Sequence, residues 1–175
     1  FYIRFDPDKE SGQGVAGDIA VDLIENTDVF FGNPAVDDVQ RQPYIILSMR
    51  RSVDSVRQEA MRRGLSKSEA EGIRPDGLLE PQYDAQTDDC DNMVTVLLRM
   101  QRTEHGISFY KCTQNTVVME ETLTPYRMYP LAYMSWMKVK NCYHGESPIT
   151  EAIPNQIAIN KLYSMYVQCI KHVAF

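Results

Sequence analysis

Acidic residues near the middle of the chain are the first that could bind a metal ion. Four of them lie in a segment rich in proline, glycine and glutamine: Asp84, Asp88, Asp89 and Asp91. A calcium loop needs carboxylates at alternate positions, then a glycine and a distant glutamate, and this order is absent. Glu104 could join three of the aspartates in a two-metal nuclease cluster, but nothing in the spacing assembles it. The pattern favours a solvated linker.

Histidine and cysteine residues offer no stronger site. Cys142 and His144 supply two possible ligands, whereas a zinc site needs three or four protein ligands, and His105 and His172 stand apart from them. The four cysteines contain no CxxC pair, which is typical of reduced thiols. Neither a nucleophile elbow nor a glycine-rich phosphate loop is present. We therefore predict no catalytic residue, no cofactor and no metal, and hence no enzyme.

The charge balance disfavours a conventional nucleic-acid-binding surface. The 175 residues carry 18 Lys and Arg against 24 Asp and Glu, a net charge of −6, whereas phosphate binding depends on clustered cations. The one dense basic patch comprises Arg50, Arg51, Arg57, Arg62 and Arg63, and two acidic residues interrupt it. We interpret this patch as a solvated helix face. No run of eighteen apolar residues occurs, so no membrane span is predicted.

Strands and two short helices are predicted before residue 74. Phe1–Phe5 and Gly17–Ile24 should form a hairpin in which Ile19, Val21 and Leu23 are half-buried, because they alternate with polar or small residues. Residues 44–47 are a β-branched and aromatic run that predicts another strand. Ser52 should cap a helix that ends at Gly64, and the Ser66-x-x-Glu69 capping box predicts a second, shorter helix.

An exposed linker over about 74–92 should lead into a β-meander. Its predicted strands are 93–102, 107–114 and 116–123, and glycine at position 106 suits the first turn. A fourth strand, 131–139, should anchor the sheet through Tyr133 and Trp136, and residues 143–148 are predicted to form a turn. These elements predict an α+β fold: a mostly antiparallel sheet with one or two short helices and a long C-terminal amphipathic helix.

The C-terminal helix should start with Ser147 as its cap and Pro148 as its first residue, and Pro154 should bend or restart it. Beyond Pro154 its apolar residues recur at helical spacing and form an arc wider than one small sheet can cover. We predict a subunit interface on this arc, with packing on the chain's own sheet as the alternative. The interface residues are Ile159, Leu162, Tyr163, Met165, Tyr166, Ile170 and Val173.

A motif at the start of this helix resembles the G-x-S-P-I … Q-x-x-I-N signature of portal proteins from tailed bacteriophages and prophages. The matching residues are Gly145, Ser147, Pro148, Ile149, Gln156, Ile159 and Asn160. The order of motifs upstream is also similar, from Gly17-Asp18-Ile19 through Asn26–Pro34 to Pro43–Ile46. The resemblance spans roughly residues 15–63 and 129–172, which is more than half of the chain.

The resemblance implies a homo-oligomeric ring, usually of twelve chains, at one vertex of the capsid. Such a ring nucleates head assembly on capsid and scaffold proteins, docks the terminase and later the head-tail adaptor, and lets double-stranded DNA pass without sequence-specific binding. It implies a location in the virion, and in the bacterial cytoplasm during assembly. Residues 1–141 would form the wing region, and 142–175 would lead toward the stem and clip of a longer protein.

Two other interpretations remain open at this point. A head-tail adaptor or another virion interaction module could also combine a sheet with a docking helix. A metal-dependent nuclease, built on the acidic residues described above, is the less favoured one. The length of the complete reading frame distinguishes a head-tail adaptor from a portal protein, because a portal reading frame should continue for several hundred residues beyond Phe175.

Overall fold

The computed structural model describes residues 1–10, 16–76 and 92–173. Its strands are β1 (Tyr2–Glu10), β2 (Ala16–Asp22), β3 (Val29–Phe31), β4 (Tyr44–Ser52), β5 (Met93–Thr103), β6 (Gly106–Cys112), β7 (Val117–Thr124), β8 (Met137–Val139) and β9 (Cys142–Glu146). Its α-helices are α1 (Val53–Arg62), α2 (Lys67–Glu71) and α3 (Pro148–Val173). The predicted α+β fold with a long C-terminal helix is confirmed.

A five-stranded antiparallel sheet in the order β3-β4-β5-β6-β7 forms the centre of the fold. Sheet neighbours are consecutive in the chain, so the predicted meander of β5, β6 and β7 is extended by two strands. β4 and β5 share nine residue pairs, from Tyr44 opposite Gln101 to Ser52 opposite Met93. Gly106 closes the β5–β6 turn at φ +151°, where a Cβ would lie 2.1 Å from the Thr124 carbonyl oxygen.

One face of this sheet is buried, in two adjoining apolar clusters. The first, where α1 packs on β5 and β7, consists of Val53, Val56, Ala60, Ile73, Val94, Val96 and Val118. The second lies under residues 129–131 and consists of Val29, Phe31, Val39, Ile45, Leu47, Leu98, Met100, Ile107, Phe109, Tyr129 and Leu131. Since alternate residues of β5 enter these clusters, the period of two in the sequence correctly indicated its buried face.

The caps of both short helices follow the sequence signals. The Ser52 hydroxyl accepts a hydrogen bond from the Ser55 N–H at 3.3 Å, and α1 stops before Gly64 at φ +100°. Ser66 and Glu69 make the reciprocal capping box at the start of α2. These two helices are therefore defined by local chemistry.

The predicted strand over 131–139 forms only in part, as β8 (Met137–Val139). Leu131 makes only an isolated bridge with Tyr2, while β8 pairs with β9 across a tight turn in which Asn141 has φ +60°. The segment is divided because its two ends pair with different parts of the chain. Tyr133 does pack edge-on against Phe31, with ring centroids 5.3 Å apart, but Trp136 is 79% exposed and anchors nothing in the sheet.

Two further predictions need correction. β9 occupies positions predicted to form a turn, because the chain reverses at Asn141 instead. The hairpin of β1 and β2 forms, but Ile19, Val21 and Leu23 are exposed, since its polar face turns inward. Of the predicted linker, Arg74, Pro75 and Asn92 are exposed, and the Asp76 N–H donates to the Met93 carbonyl at 2.9 Å. Residues 77–91 of that linker lie outside the described residues.

A buried glutamine holds the loop between β3 and β4. The Gln42 side chain is 1% exposed; its carbonyl accepts from the Asn33 N–H at 2.9 Å, and its amide donates to the Asn33 and Val36 carbonyls at 2.9 and 2.8 Å. The Tyr129 hydroxyl donates to the Gln42 backbone carbonyl at 2.9 Å. Gln42 thus links this loop to the segment that covers the second core cluster.

Replacing Gln42 by leucine should destabilise the fold. The change leaves one buried N–H and two carbonyls without their partner, so we expect the free energy of unfolding to fall by about 2–4 kcal/mol. Urea denaturation followed by far-UV circular dichroism measures this. Gln58→Leu on the exposed side of α1 is the matched control, and it should stay within about 0.5 kcal/mol. Equal effects of the two changes would refute the buried role of Gln42.

Candidate subunit interface

α3 begins at the residue that the sequence indicated. Pro148 has no N–H to satisfy, and the Ser147 hydroxyl accepts a hydrogen bond from the Ile149 N–H at 3.3 Å. The Thr150 N–H donates to the Ser147 carbonyl at 2.9 Å. The helix continues through Pro154 as one element, so of the two predicted alternatives, a bend or a restart, the restart does not occur; the missing N–H there removes only one hydrogen bond.

The other residues of the motif have structural roles as well. Gly145 has φ +66°, and a Cβ on it would lie 2.4 Å from the Met137 carbonyl oxygen, so glycine is required for β9 to approach β8. The Gln156 amide donates to the Asn160 side-chain oxygen at 2.9 Å, one helical turn away. Ile149, by contrast, is 71% exposed. The motif therefore sets where α3 leaves the body, and it places an apolar side chain in solvent at that point.

The apolar arc of α3 is uncovered. No side chain of α3 is buried, and Val167 alone is intermediate. The predicted interface residues range from 45% exposed at Ile170 to 81% at Val173. The complete set is exposed: Ile159, Leu162, Tyr163, Met165, Tyr166, Ile170 and Val173. The alternative of packing on the chain's own sheet is not what the structure shows.

A shallow apolar concavity lies near the end of this arc. It has a volume of about 270 Å³ and is lined by Tyr166, Cys169, Ile170 and Val173. A concavity of this kind can receive a large side chain from another helix or sheet. Because helices in water depend mainly on the packing of an apolar face, α3 as it stands lacks its main source of stability.

A second exposed apolar surface covers one side of the β1–β2 hairpin, and we call it the outer hairpin face. It consists of Ile3, Phe5, Ile19 and Val21, with Phe1 and Leu23 flanking them. Ile3 lies opposite Val21 and Phe5 opposite Ile19, so the four side chains form two cross-strand pairs on one side. The sequence pattern located these residues but could not tell which side of the hairpin faces solvent.

The inner side of the hairpin faces a charged cluster centred on Glu59 of α1. Lys111 donates to both Glu59 carboxylate oxygens at 2.7 and 2.9 Å, and Arg51 and Arg63 approach them within 3.3 and 3.2 Å. The residues of this cluster line a cavity of about 520 Å³ between the hairpin and α1, and Arg4 of β1 lines it from the other side. The Arg4 guanidinium donates to the Asp22 carboxylate at 2.7 Å. Polar groups therefore fill the side of the hairpin that faces the body.

Glu59 is held in its charged form. Burial alone would raise the pKa of its carboxyl, but the hydrogen bonds and charge of Lys111, with the charges of Arg63 and Arg51, outweigh burial and lower that pKa below its ordinary value. Burial in turn lowers the pKa of the Lys111 ammonium, which its bonds to Glu59 offset only in part. Arg51 and Arg63 are thus engaged within the fold.

The rest of the basic patch is not a continuous cationic face either. Arg57 donates to the Ile73 carbonyl at 2.7 Å, and its Nε is buried with no hydrogen-bond partner among the described residues. Arg50 is exposed and points away from the buried face of the sheet, since it alternates with the residues of β4 that enter the core. Arg51, Arg57 and Arg63 of this patch therefore bind groups within the fold.

The residues considered for metal chemistry do not assemble within the described part of the chain. Over residues 1–10, 16–76 and 92–173, no three His, Cys, Asp or Glu side chains lie together as a metal site would require. The four candidate aspartates, Asp84, Asp88, Asp89 and Asp91, lie outside those residues. Glu104 and His105 occupy the exposed β5–β6 turn, and His144 stacks on Tyr143. None of the described helices has the length and apolarity needed to span a membrane.

No family model matches the sequence, and no curated protein matches it significantly. The exposed surfaces of α3 and of the hairpin, with the motif that begins α3, are therefore the observations from which a function can be argued.

Replacing Glu59 by glutamine should destabilise the protein in a pH-dependent way. A carboxyl whose pKa is lower in the folded state stabilises the fold at pH above its unfolded pKa, near 4.5, and this contribution disappears as the pH falls through the folded pKa. We expect Glu59→Gln to cost about 1–3 kcal/mol at pH 7, because three cations lose their counter-charge. The difference from the unchanged protein should shrink below about pH 4.5.

Urea titrations at steps between pH 7 and pH 3.5 measure this difference. Glu104→Gln, in the exposed β5–β6 turn, is the control and should have little effect at any pH. A cost at Glu59 that does not change with pH would contradict the ionised cluster.

Proposed function

We propose that this chain is part of a phage portal protein, a ring-forming conduit for double-stranded DNA at one vertex of the capsid. The observation that carries the proposal is the exposed apolar arc of α3, which begins at the portal-like motif Gly145–Ile149. In this proposal α3 packs against neighbouring subunits and the β-rich body forms the outer part of the ring.

Ring geometry explains why an exposed arc suits this role. A closed ring of identical subunits uses head-to-tail contacts, in which each chain presents one surface to the next chain and a different surface to the previous one. Tyr163 and Tyr166 combine apolar rings with polar hydroxyls, which suits an interface that remains partly wet. Ile159 and Leu162 on the same arc supply apolar surface that is 59% and 66% exposed without a partner.

The charge distribution supports passage of DNA without tight binding. The net charge of −6 repels phosphates, and Lys111, Arg51 and Arg63 are engaged by Glu59. A duplex can therefore slide past such a body without being held. In the proposed assembly, the terminase, capsid and scaffold proteins and the head-tail adaptor bind the completed ring.

Ring formation by the protein translated from the complete reading frame is the direct test of the proposal. Negative-stain microscopy and light scattering should show a ring. A monodisperse monomer at micromolar concentration would contradict the proposed function. A reading frame that stops shortly after Phe175 would favour a head-tail adaptor instead.

Replacing Tyr166 by aspartate in that protein should impair assembly but not folding. The change puts a charge into the apolar arc, and we expect each subunit contact to weaken at least about tenfold, equivalent to about 1.4 kcal/mol. The ring fraction is measured by light scattering and the folded sheet by circular dichroism. Gln168→Asp, two residues away and on the other side of the helix, adds the same charge and should leave assembly intact. Loss of the fold with Tyr166→Asp would show that the arc is needed inside the subunit.

A further inference from the structure

The outer hairpin face, like the arc of α3, is apolar and exposed. Phe5 and Ile19 are each 63% exposed and Val21 is 59% exposed, although they form cross-strand pairs on one side of two strands. With the flanking Phe1 and Leu23, the six side chains offer roughly 600 Å² of apolar surface, if each presents about half of what a large buried side chain covers. This equals the largest patches on ordinary monomers.

We propose that the outer hairpin face is the docking site for α3 of a second copy of this chain. The inference rests on the proposed ring and names the two surfaces that meet at each subunit contact. A head-to-tail contact requires two different complementary patches on one chain, and the arc of α3 and the outer hairpin face meet that requirement.

The outer hairpin face matches the central part of the α3 arc in length; the whole arc, from Ile159 to Val173, spans fourteen residues, about 21 Å at 1.5 Å per residue. Phe1 to Phe5 spans four residues of strand, about 13 Å at 3.3 Å per residue. Leu162 to Ile170 spans eight residues of helix, about 12 Å at 1.5 Å per residue. The apolar arc of α3 can therefore lie along the hairpin with its large side chains over both cross-strand pairs. Roughly 600 Å² per partner, with a polar rim, approaches the roughly 800 Å² of a stable interface.

A native cysteine allows a direct test. Cys169 is exposed on α3 and lines the apolar concavity beside Tyr166. In protein from the complete reading frame, with the other cysteines of this region (90, 112 and 142) changed to serine, we would introduce Val21→Cys on the outer hairpin face. Mild oxidation should then form a disulfide between the introduced cysteine of one copy and Cys169 of the next. Non-reducing gels should show dimers and higher multimers, formed at least about tenfold faster than in the control.

The control is Leu123→Cys on β7, in the same background. Leu123 is 53% exposed, close to the 59% of Val21, but it lies outside the hairpin. Adding Cys169→Ser to Val21→Cys should abolish the crosslink. Peptide mapping of the crosslinked band should identify the two expected peptides.

Each other outcome overturns the inference in a distinguishable way. A disulfide within one chain would show that α3 folds back on its own hairpin. A ring without crosslinking above the control would leave the portal proposal standing but place the subunit contact elsewhere. Absence of both the ring and the crosslink would overturn the proposed function together with this inference.

Discussion

The need to cover apolar surface with a limited amount of helix governs this structure. One face of the five-stranded sheet is covered by α1, by Ile73, by residues 129–131 and by half-buried aromatic residues such as Tyr143. Nothing in the described residues remains to cover α3, whose 26 residues contain no buried side chain. Since burying apolar surface gains roughly 25 cal/mol per Å², covering the arc of α3 would stabilise the helix. In the function that we propose, a second copy of the chain covers it.

The cluster around Glu59 determines which side of the hairpin is left outside. Arg4, Lys111 and Arg51 line one cavity between β1 and α1, so the polar side of the hairpin turns toward the body. Once that side is fixed inward, strand alternation places Ile19 and Val21 outward. The ionic cluster around Glu59 thereby leaves the apolar outer hairpin face exposed to solvent. The same cluster engages basic residues that could otherwise bind phosphates.

Local signals in the sequence predicted most elements, and long-range pairing accounts for the failures. Ser52, Ser66 and Gly106 marked helix starts and a turn correctly, because each acts through atoms a few residues away. Leu131, in contrast, bridges Tyr2 from 129 residues away, which no local pattern reveals. The arc of α3 was found from helical spacing, but the orientation of the hairpin depends on Lys111 and Arg63, which are distant in sequence from β1 and β2. An alternating pattern shows that a strand has two sides without showing which one is buried.

The motif before α3 connects the folded body to its exposed helix with little freedom. Gly145 permits the close approach of β9 to β8, and Ser147 with Pro148 starts the helix within three residues of that point. The point at which α3 starts is therefore fixed relative to β9. A helix that is ordered only on contact with a partner loses part of the binding free energy to that ordering, whereas a helix that has already started loses less. In the ring that we propose, this small advantage would be repeated at every subunit contact. It gives a physical reason for a required glycine and a capped proline to stand together at this position.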